Sequence, residues 1–159
     1  MYRKVNDFLT DWSNASEGTI NVLDALTDEK LNQAIVEGHN TLGWLGWHLS
    51  GAIVYFAGQV GLEVNLDGDL KTVPTSAEEI SNAYKKISAD LKNAVEKLTD
   101  EQMVEEVDSH GQSVPRGALL RMMIDHQTHH RGQMTVLLRQ AGLKVPGVMG
   151  PTKEDAVPY

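Results

Sequence analysis

The residue pair His126 and His130 has the type and spacing that metal binding requires. Both residues lie in a helical pattern that begins at Pro115 and ends at Gly142. A helix turns about 100° per residue, so residues four apart lie about 40° from one another on successive turns. Two neutral imidazoles placed in this way can bind one ion. We therefore take these two histidines as the first candidate metal ligands.

The helix face that carries the two histidines is apolar. Four residues recur at their spacing: Leu119, Met123, Met134 and Leu137. This periodicity places His126 and His130 on the buried stripe, where each ring needs a polar partner. A single histidine in such a place is best interpreted as a hydrogen-bonded core residue. For two on one stripe, a shared ion is the better interpretation, because each ring would otherwise need its own buried partner.

Four neighbouring residues leave alternatives open. His129 can also pair with His126 at a spacing of three, but its stripe is less uniformly apolar and favours a place at the rim of the site. Asp125 either accepts a proton from a ligand imidazole or is a solvated carboxylate. Arg131 either binds an anionic group or, as we favour, forms a salt bridge on the bundle surface or at a dimer contact. Gln133 either hydrogen-bonds near the metal or makes a polar packing contact.

The first part of the chain predicts one long amphipathic helix and one short one. Residues 2 to 16 place apolar side chains at intervals of three and four, with charged side chains on the other face. Gly18 is interpreted as a break in this pattern. A turn and a short helix are expected from Asp24 to Leu31, capped by Thr27 or Asp28.

A second main helix is predicted from a cap at Asn40 or Thr41 to about Val60, with Gly61 as its stop. One face of this helix is formed by five residues: Trp44, His48, Ala52, Tyr55 and Gln59. We expect this face, and with it His48, to point into the core. The aromatic residues Trp44, Trp47 and Tyr55 are interpreted as core or interface residues rather than as a substrate platform.

The second helix lies in a stretch from Gly38 to Leu62 that contains no charged residue when histidine is counted as neutral. A stretch of this length can span a membrane. Its polar residues, its many glycines and the lack of basic flanking residues favour a buried helix of a soluble bundle instead. Four glycines weaken the isolated helix by about 1 kcal/mol each relative to alanine, so close packing against a neighbouring helix is expected.

The second half of the chain predicts two further helices. Ser76 and Glu79 form a capping-box pattern before a strongly amphipathic third helix that runs to about Leu98. The segment from Asp100 to Gln112 lacks a period and is interpreted as a connection with His110 in a loop. Pro115 is expected in the first turn of the fourth helix. With no convincing strand or internal repeat, the chain predicts an all-α four-helix bundle with a short extra helix and an irregular C-terminal tail, in a single domain over residues 1–159.

Composition narrows the classes of function. The chain has 14 basic and 22 acidic residues and a net charge of -8, with no basic cluster, which argues against a nucleic-acid partner. It has no cysteine, so disulfides, thiolate ligands and an internal thiol nucleophile are excluded. The first ten residues lack the apolar core of a secretory signal, so we expect a cytoplasmic protein that does not enter the membrane.

His48 on the second helix and His126 and His130 on the fourth form the candidate metal site, since bundles build such sites from facing helices. Three neutral imidazoles leave one tetrahedral position open, as in catalytic zinc sites. An ion of this kind lowers the pKa of bound water to about 7 and also favours an exogenous thiolate. Zinc is the first expectation for the metal and nickel the second.

Two motifs in this order resemble those of the DinB-like family of metal-dependent bundle proteins. They are the segment TLGWLGWH from Thr41 to His48 and the pattern DHxxxHRGQ from Asp125 to Gln133. The likeness extends to the tail, with KVP at positions 144–146 and GP at 150–151. It implies a four-helix bundle, often a homodimer, whose divalent ion is bound by His48, His126 and His130.

The resemblance does not define a reaction, since members of the family include thiol-dependent transferases and isomerases, hydrolases and proteins of unknown activity. We expect a metal-dependent transferase or hydrolase that activates water or a low-molecular-weight thiol against a small electrophile. The alternative is a non-catalytic metal-binding or stress-associated bundle. A third hypothesis is a dimerisation module with buried histidines and no ion.

Overall fold

Four long helices form a bundle, which confirms the predicted fold class. The computed structural model describes residues 1–155. Its helices are α1 (Val5–Asp24), a 3-10 turn (Asp28–Lys30), α2 (Leu42–Gln59), α3 (Ala77–Val95), α4 (Asp100–Val104) and α5 (Arg116–Gln140). A hairpin of β1 (Glu106–Ser109) and β2 (Gln112–Pro115) precedes α5. The tail after α5 has no helix or strand as far as Asp155, and the last four residues of the predicted tail, 156–159, lie outside the described residues.

The order of the long helices around the core determines where a site can form. Helices α1 and α2 each pack against both α3 and α5, so α2 and α5 are neighbours. One continuous apolar core fills the space between the four helices. The predicted stripe on α5 is confirmed, since Leu119, Met123, Met134 and Leu137 are all buried. Within residues 1–155 no helix is both long and apolar enough to cross a membrane.

Gly18 does not break the first helix, contrary to the sequence prediction. Helix α1 continues through it to Asp24. In place of the short helix expected between Asp24 and Leu31, the chain forms only a 3-10 turn after Thr27. A side-chain carbon added at Gly18 would lie 2.8 Å from Val148 Cγ1 of the tail and 3.7 Å from the guanidinium carbon of Arg131. The glycine therefore provides space for the tail and for a buried arginine.

Helix α2 begins and ends as predicted but does not bury the predicted face. Thr41 accepts a hydrogen bond from the backbone N–H of Trp44, and Gly61 after the helix has a φ of 73°. Trp44 and Tyr55, however, are 37% and 49% exposed. Helix α2 is apolar almost all the way round, so its periodicity could not distinguish the core face from the face that borders a cleft.

The segment after α3 contains regular structure that the sequence analysis missed. Thr99 caps α4 in a reciprocal arrangement with Gln102, and the chain then forms the hairpin. Its two-residue turn is His110-Gly111, with φ values of 54° and 78°. Two positive φ values are the mark of a type I′ turn, which suits a tight hairpin. His110 is a loop residue, as predicted, while Pro115 ends β2 and caps α5 instead of lying in its first turn.

The first turn of α5 lies against the N-terminal segment so closely that only glycine fits at position 117. A side-chain carbon there would lie 1.9 Å from the carbonyl oxygen of Tyr2 and 3.1 Å from that of Met103. We expect Gly117→Ala to lower the free energy of unfolding by about 1–3 kcal/mol, the usual cost of overpacking. At Gly132 in the same helix, no atom of residues 1–155 beyond the helix's own adjacent turns lies within 4 Å of the added carbon. Gly132→Ala should therefore stabilise the protein by about 0.5–1 kcal/mol. Urea unfolding of the two variants tests this; equal effects would contradict it.

Candidate metal centre

The three predicted histidines meet between α2 and α5. His48 Nε2 lies 3.3 Å from His126 Nε2, and His130 Nε2 lies 3.2 Å from His126 Nε2. All three ligand atoms lie within 4.8 Å of one another. Each ring is partly buried. The adjacent packing of α2 and α5 thus brings together residues that are 78 positions apart in the chain.

These distances match a shared ion better than hydrogen bonds between the rings. Zinc–nitrogen bonds of about 2.0–2.1 Å in tetrahedral geometry place two ligand nitrogens about 3.3 to 3.4 Å apart. A neutral imidazole nitrogen has either one hydrogen or one lone pair, so His126 Nε2 cannot make good hydrogen bonds to both neighbours. A cation can contact all three nitrogens together. The residues present therefore fit a divalent metal ion.

The protonation state of His126 also suits metal binding. Burial, together with repulsion from His130, His48 and His129, lowers the pKa of His126 to about 4. Burial, followed by the effect of His130, also lowers the pKa of His48. His126 is therefore neutral at pH 7. Neutral imidazole is the form that binds a metal.

Two contacts orient the rings. His130 Nδ1 donates a hydrogen bond to Gln133 Oε1 at 2.8 Å, which leaves the lone pair on Nε2 for the metal. Trp44 stacks on His48 with ring centroids 4.7 Å apart and an interplanar angle of 9°. Among the described residues, the buried Nδ1 of His126 has no hydrogen-bond partner. Of the two interpretations of Gln133, the hydrogen bond beside the site is the one observed.

The other residues singled out around the motif lie outside the histidine group. Asp125 is exposed and forms a salt bridge with Arg121 at 2.6 Å, so the solvated interpretation of this carboxylate is the one observed. His129 is exposed and lies 3.3 Å from the side-chain nitrogen of Gln133, which agrees with a place at the rim. Neither residue belongs to the group of three ligand nitrogens, although the ring of His129 packs edge-on against that of His130 with centroids 4.9 Å apart.

The prediction that Arg131 forms a surface salt bridge or dimer contact is wrong. Its side chain is only 5% exposed and points toward α1. One guanidinium nitrogen donates to the carbonyl oxygen of Ala15 at 2.7 Å and lies 3.1 Å from Thr19 Oγ1. Burial lowers the pKa of the guanidinium. Arg131 lies about 100° around the helix from His130, which is why it enters the bundle on a different side from the metal ligand.

A buried polar chain links the helices immediately behind the histidines. Tyr84 on α3 donates to Gln127 Oε1 at 3.0 Å, and Gln127 Nε2 donates to the carbonyl oxygen of Leu49 on α2 at 3.0 Å. Gln127 and Tyr84 are fully buried, and burial raises the pKa of Tyr84. Gln127 follows His126 and Leu49 follows His48 in the sequence. The hydrogen bond between them therefore holds the two ligand-bearing backbones in register.

Gln127 was not predicted from the sequence as a residue that supports the site. A signal for Gln127 was present, because it lies four residues after Met123 and seven before Met134 on the apolar stripe. A polar residue on a buried stripe needs a partner. Its partners come from α2 and α3, however, and their alignment with Gln127 depends on the packing of three helices.

The fold and the site together define the class of this protein, a four-helix bundle with a three-histidine group between its second and last long helices. The family model described as the DinB family matches residues 1–158. The chain belongs to the DinB family. It is 40% identical over 156 residues to the uncharacterized protein YrdA of Bacillus subtilis, covering 98% of this chain and 93% of YrdA.

Solved structures agree with this assignment. The crystal structure of a DinB-like protein from Bacillus cereus has a TM-score of 0.89 and 42% identity, covering 93% of this chain and 99% of that protein. The DinB-like protein YjoA of Bacillus subtilis has a TM-score of 0.73 at 17% identity, covering 91% and 99% of the two chains. The second comparison supports the fold alone. Family membership and the histidine group together fit a metal-binding protein.

Proposed function

We propose that this protein is a divalent-metal-dependent enzyme in which His48, His126 and His130 bind the ion and leave one coordination position open. The observation that carries the proposal is that His48 Nε2 and His130 Nε2 lie 3.3 and 3.2 Å from His126 Nε2, with the ligand atoms of all three histidines within 4.8 Å of one another. Zinc is the first candidate ion and nickel the second, because imidazole ligands suit both. When bound, such an ion supplies Lewis acidity that lowers the pKa of water or of a thiol.

The residues of the chain support a reaction with an external nucleophile. The three ligands are imidazoles, so they add no negative charge that would reduce the acidity of the ion. The chain has no cysteine, so a thiol nucleophile must be a low-molecular-weight cosubstrate. In the proposed reaction, the sulfur of such a thiol or the oxygen of water bonds to an electrophilic carbon of a small substrate, as in a transferase or a hydrolase. A halide or alcohol leaves together with the proton of the nucleophile, or an epoxide C–O bond breaks and its oxygen takes up that proton. A homodimer and a cytoplasmic location stay predictions.

The test uses protein purified without a histidine tag. Metal content is measured by elemental analysis, and activity is measured against a panel of haloarenes, epoxides and activated esters, with and without added thiol. We expect about one ion per chain, activity that disappears on chelation, and recovery when zinc or nickel is returned. Stoichiometric metal with no metal-dependent activity on any of these substrates would overturn the enzymatic proposal and favour a non-catalytic metal-binding protein. A chain that binds no ion would favour the dimerisation module.

Metal binding should also stabilise the folded chain, because the unfolded chain does not hold the three histidines together. At a free ion concentration of ten times Kd the stabilisation is about 1.4 kcal/mol. For a chain of this size we expect a rise in Tm of about 3–6 °C. Differential scanning calorimetry of the chelated and the reconstituted protein measures it. An unchanged Tm at saturating zinc would show that the ion does not prefer the folded state.

A further inference from the structure

An apolar cavity of about 420 Å³ lies directly beside the histidine group. His48 and His126 form one part of its wall, and the rings of Trp47, Tyr55 and Phe56 form another. Leu70, from the connection between α2 and α3, closes over Gly51. At the packing density of a protein interior this volume accepts roughly 10 to 20 non-hydrogen atoms, and it falls within the usual range for small-molecule sites.

Within residues 1–155, the wall of this cavity includes no aspartate, glutamate, lysine or arginine side chain. Its two polar side chains other than the histidines already have partners. The indole N–H of Trp47 donates to the carbonyl oxygen of Asp69 at 3.2 Å, and the hydroxyl of Tyr55 lies 2.6 Å from His110 Nε2. Apart from the ion that His48 and His126 would help to hold at one end, the cavity therefore has no fixed charge with which to balance a charged ligand.

The arginine of the HRGQ motif does not supply that charge. Arg131 points toward α1 and donates to Ala15 there. An ionised group moved from water into an apolar cavity without a partner pays a large desolvation cost. Moving an apolar group into such a cavity is instead favourable, by a transfer free energy of about 25 cal/mol for each square ångström of its surface that is removed from water.

We propose that this cavity binds the uncharged, apolar body of the substrate, a small aromatic or branched aliphatic group, and directs its reactive polar end toward His48 and His126. The assignment of the reactive end rests on the proposed function. The apolar selectivity is a property of the cavity walls alone. The substrate class is thus an electrophile with an apolar body, of which only the reactive polar end would meet the ion. Sugar phosphates, nucleotides and dicarboxylates would place further charged or strongly polar groups in the apolar part of the cavity, so we do not expect them to bind.

A matched pair of fluorescent probes tests the selectivity. N-phenyl-1-naphthylamine is neutral, and 8-anilino-1-naphthalenesulfonate carries the same rings with one sulfonate. In the metal-free state, where no cation can pair with the sulfonate, we expect the full-length protein to bind one equivalent of the neutral probe at least tenfold more tightly than the sulfonate, by fluorescence titration. Equal affinities, or tighter binding of the sulfonate, would overturn the proposal.

Substitutions at two exposed apolar residues locate the binding site. Leu70 is 49% exposed and lines the cavity, whereas Val104 is 47% exposed and does not. Leu70→Glu should weaken the neutral probe at least fivefold, and Val104→Glu should leave it unchanged. Leu70→Arg should shift the preference toward the sulfonate. Unchanged Tm values show that each variant folds. Unchanged affinity of the neutral probe in both Leu70 variants would contradict the assignment to this cavity.

The titrations are made with metal-free and with zinc-loaded protein, with the metal content of each sample measured. Neutral-probe selectivity that depends on Leu70 in a chain that binds no ion would support the cavity and contradict the metal-dependent function. One bound ion per chain without that selectivity would leave the function standing and overturn the apolar substrate class.

Discussion

Replacing His126 by alanine should lower the affinity of the protein for zinc or nickel at least about 100-fold, more than the 10–100-fold that loss of a supporting partner costs. Both short contacts of the group involve His126 Nε2, at 3.3 Å to His48 and 3.2 Å to His130. In the variant, only His48 on α2 and His130 on α5 would be left to bind the ion, and the nitrogen that lies beside both of them would be missing. Isothermal titration of the chelated protein with each metal measures the change.

Two further variants make this result specific. His129→Ala, in the same helix but exposed and outside the group, should change the affinity by less than tenfold. His126→Gln keeps a polar side chain of similar size and guards against misfolding of the alanine variant, and it should lose affinity to a similar degree. Affinity within a few fold of the parent protein in both His126 variants would show that the ion binds elsewhere.

Replacing Gln127 by leucine should lower the free energy of unfolding by about 2–4 kcal/mol. The fully buried hydroxyl of Tyr84 would lose its acceptor, which costs about 1–3 kcal/mol, and the hydrogen bond to Leu49 would also be lost, for about a further 1 kcal/mol. Gln140→Leu, the same change at an exposed position of α5, should stay within about 0.5 kcal/mol of the parent protein. Urea unfolding of the metal-free proteins gives the values.

A double-mutant cycle isolates the hydrogen bond itself. Tyr84→Phe alone should also destabilise the protein, since it leaves Gln127 Oε1 buried without a donor. The double variant Tyr84→Phe with Gln127→Leu leaves neither group unpaired, so its cost should be lower than the sum of the single costs by about 1–2 kcal/mol. Strictly additive costs would show that the two side chains do not act as a pair.

Metal affinity provides a second measurement on the same variants. If Gln127 holds α5 in register with α2, Gln127→Leu should weaken metal binding about tenfold although the residue does not contact the ion. Gln133→Leu, which removes the hydrogen bond to His130 Nδ1, should have a similar effect on affinity with little change in stability, because Gln133 is exposed. A loss of metal affinity together with stability would indicate that the helices are misaligned, whereas a loss of affinity alone would indicate that a ligand ring has lost its orientation.

Local patterns in the sequence determined several features of this protein. The spacing of His126 and His130 on an apolar stripe, the capping Thr41 and the stop at Gly61 are all observed, because each depends on helix geometry within a few residues. The four-helix bundle followed from four long helical patterns. The chemistry open to the chain also followed from residue types, because it has no cysteine and offers imidazoles as ligands.

The predictions from sequence were wrong where the surroundings of a residue are formed by segments distant in the chain. Gly18 was expected to break α1, but the helix continues through it, and the tail packs so closely there that an added side-chain carbon would lie 2.8 Å from Val148 Cγ1. The hairpin was missed because its strands are four residues each and its turn uses His110-Gly111 in place of a more common Asn-Gly.

Only the tertiary structure decided that three imidazoles approach within ion-sharing distance. It also placed Arg131 inside the bundle, aligned Gln127 with Tyr84 and Leu49, and left an uncharged cavity beside His48. The physical reason is that helical periodicity defines which residues share a face, whereas the rotation and register of one helix against the next come from side-chain packing across the whole core. A shift of one residue in that register would separate the histidines without altering any local pattern.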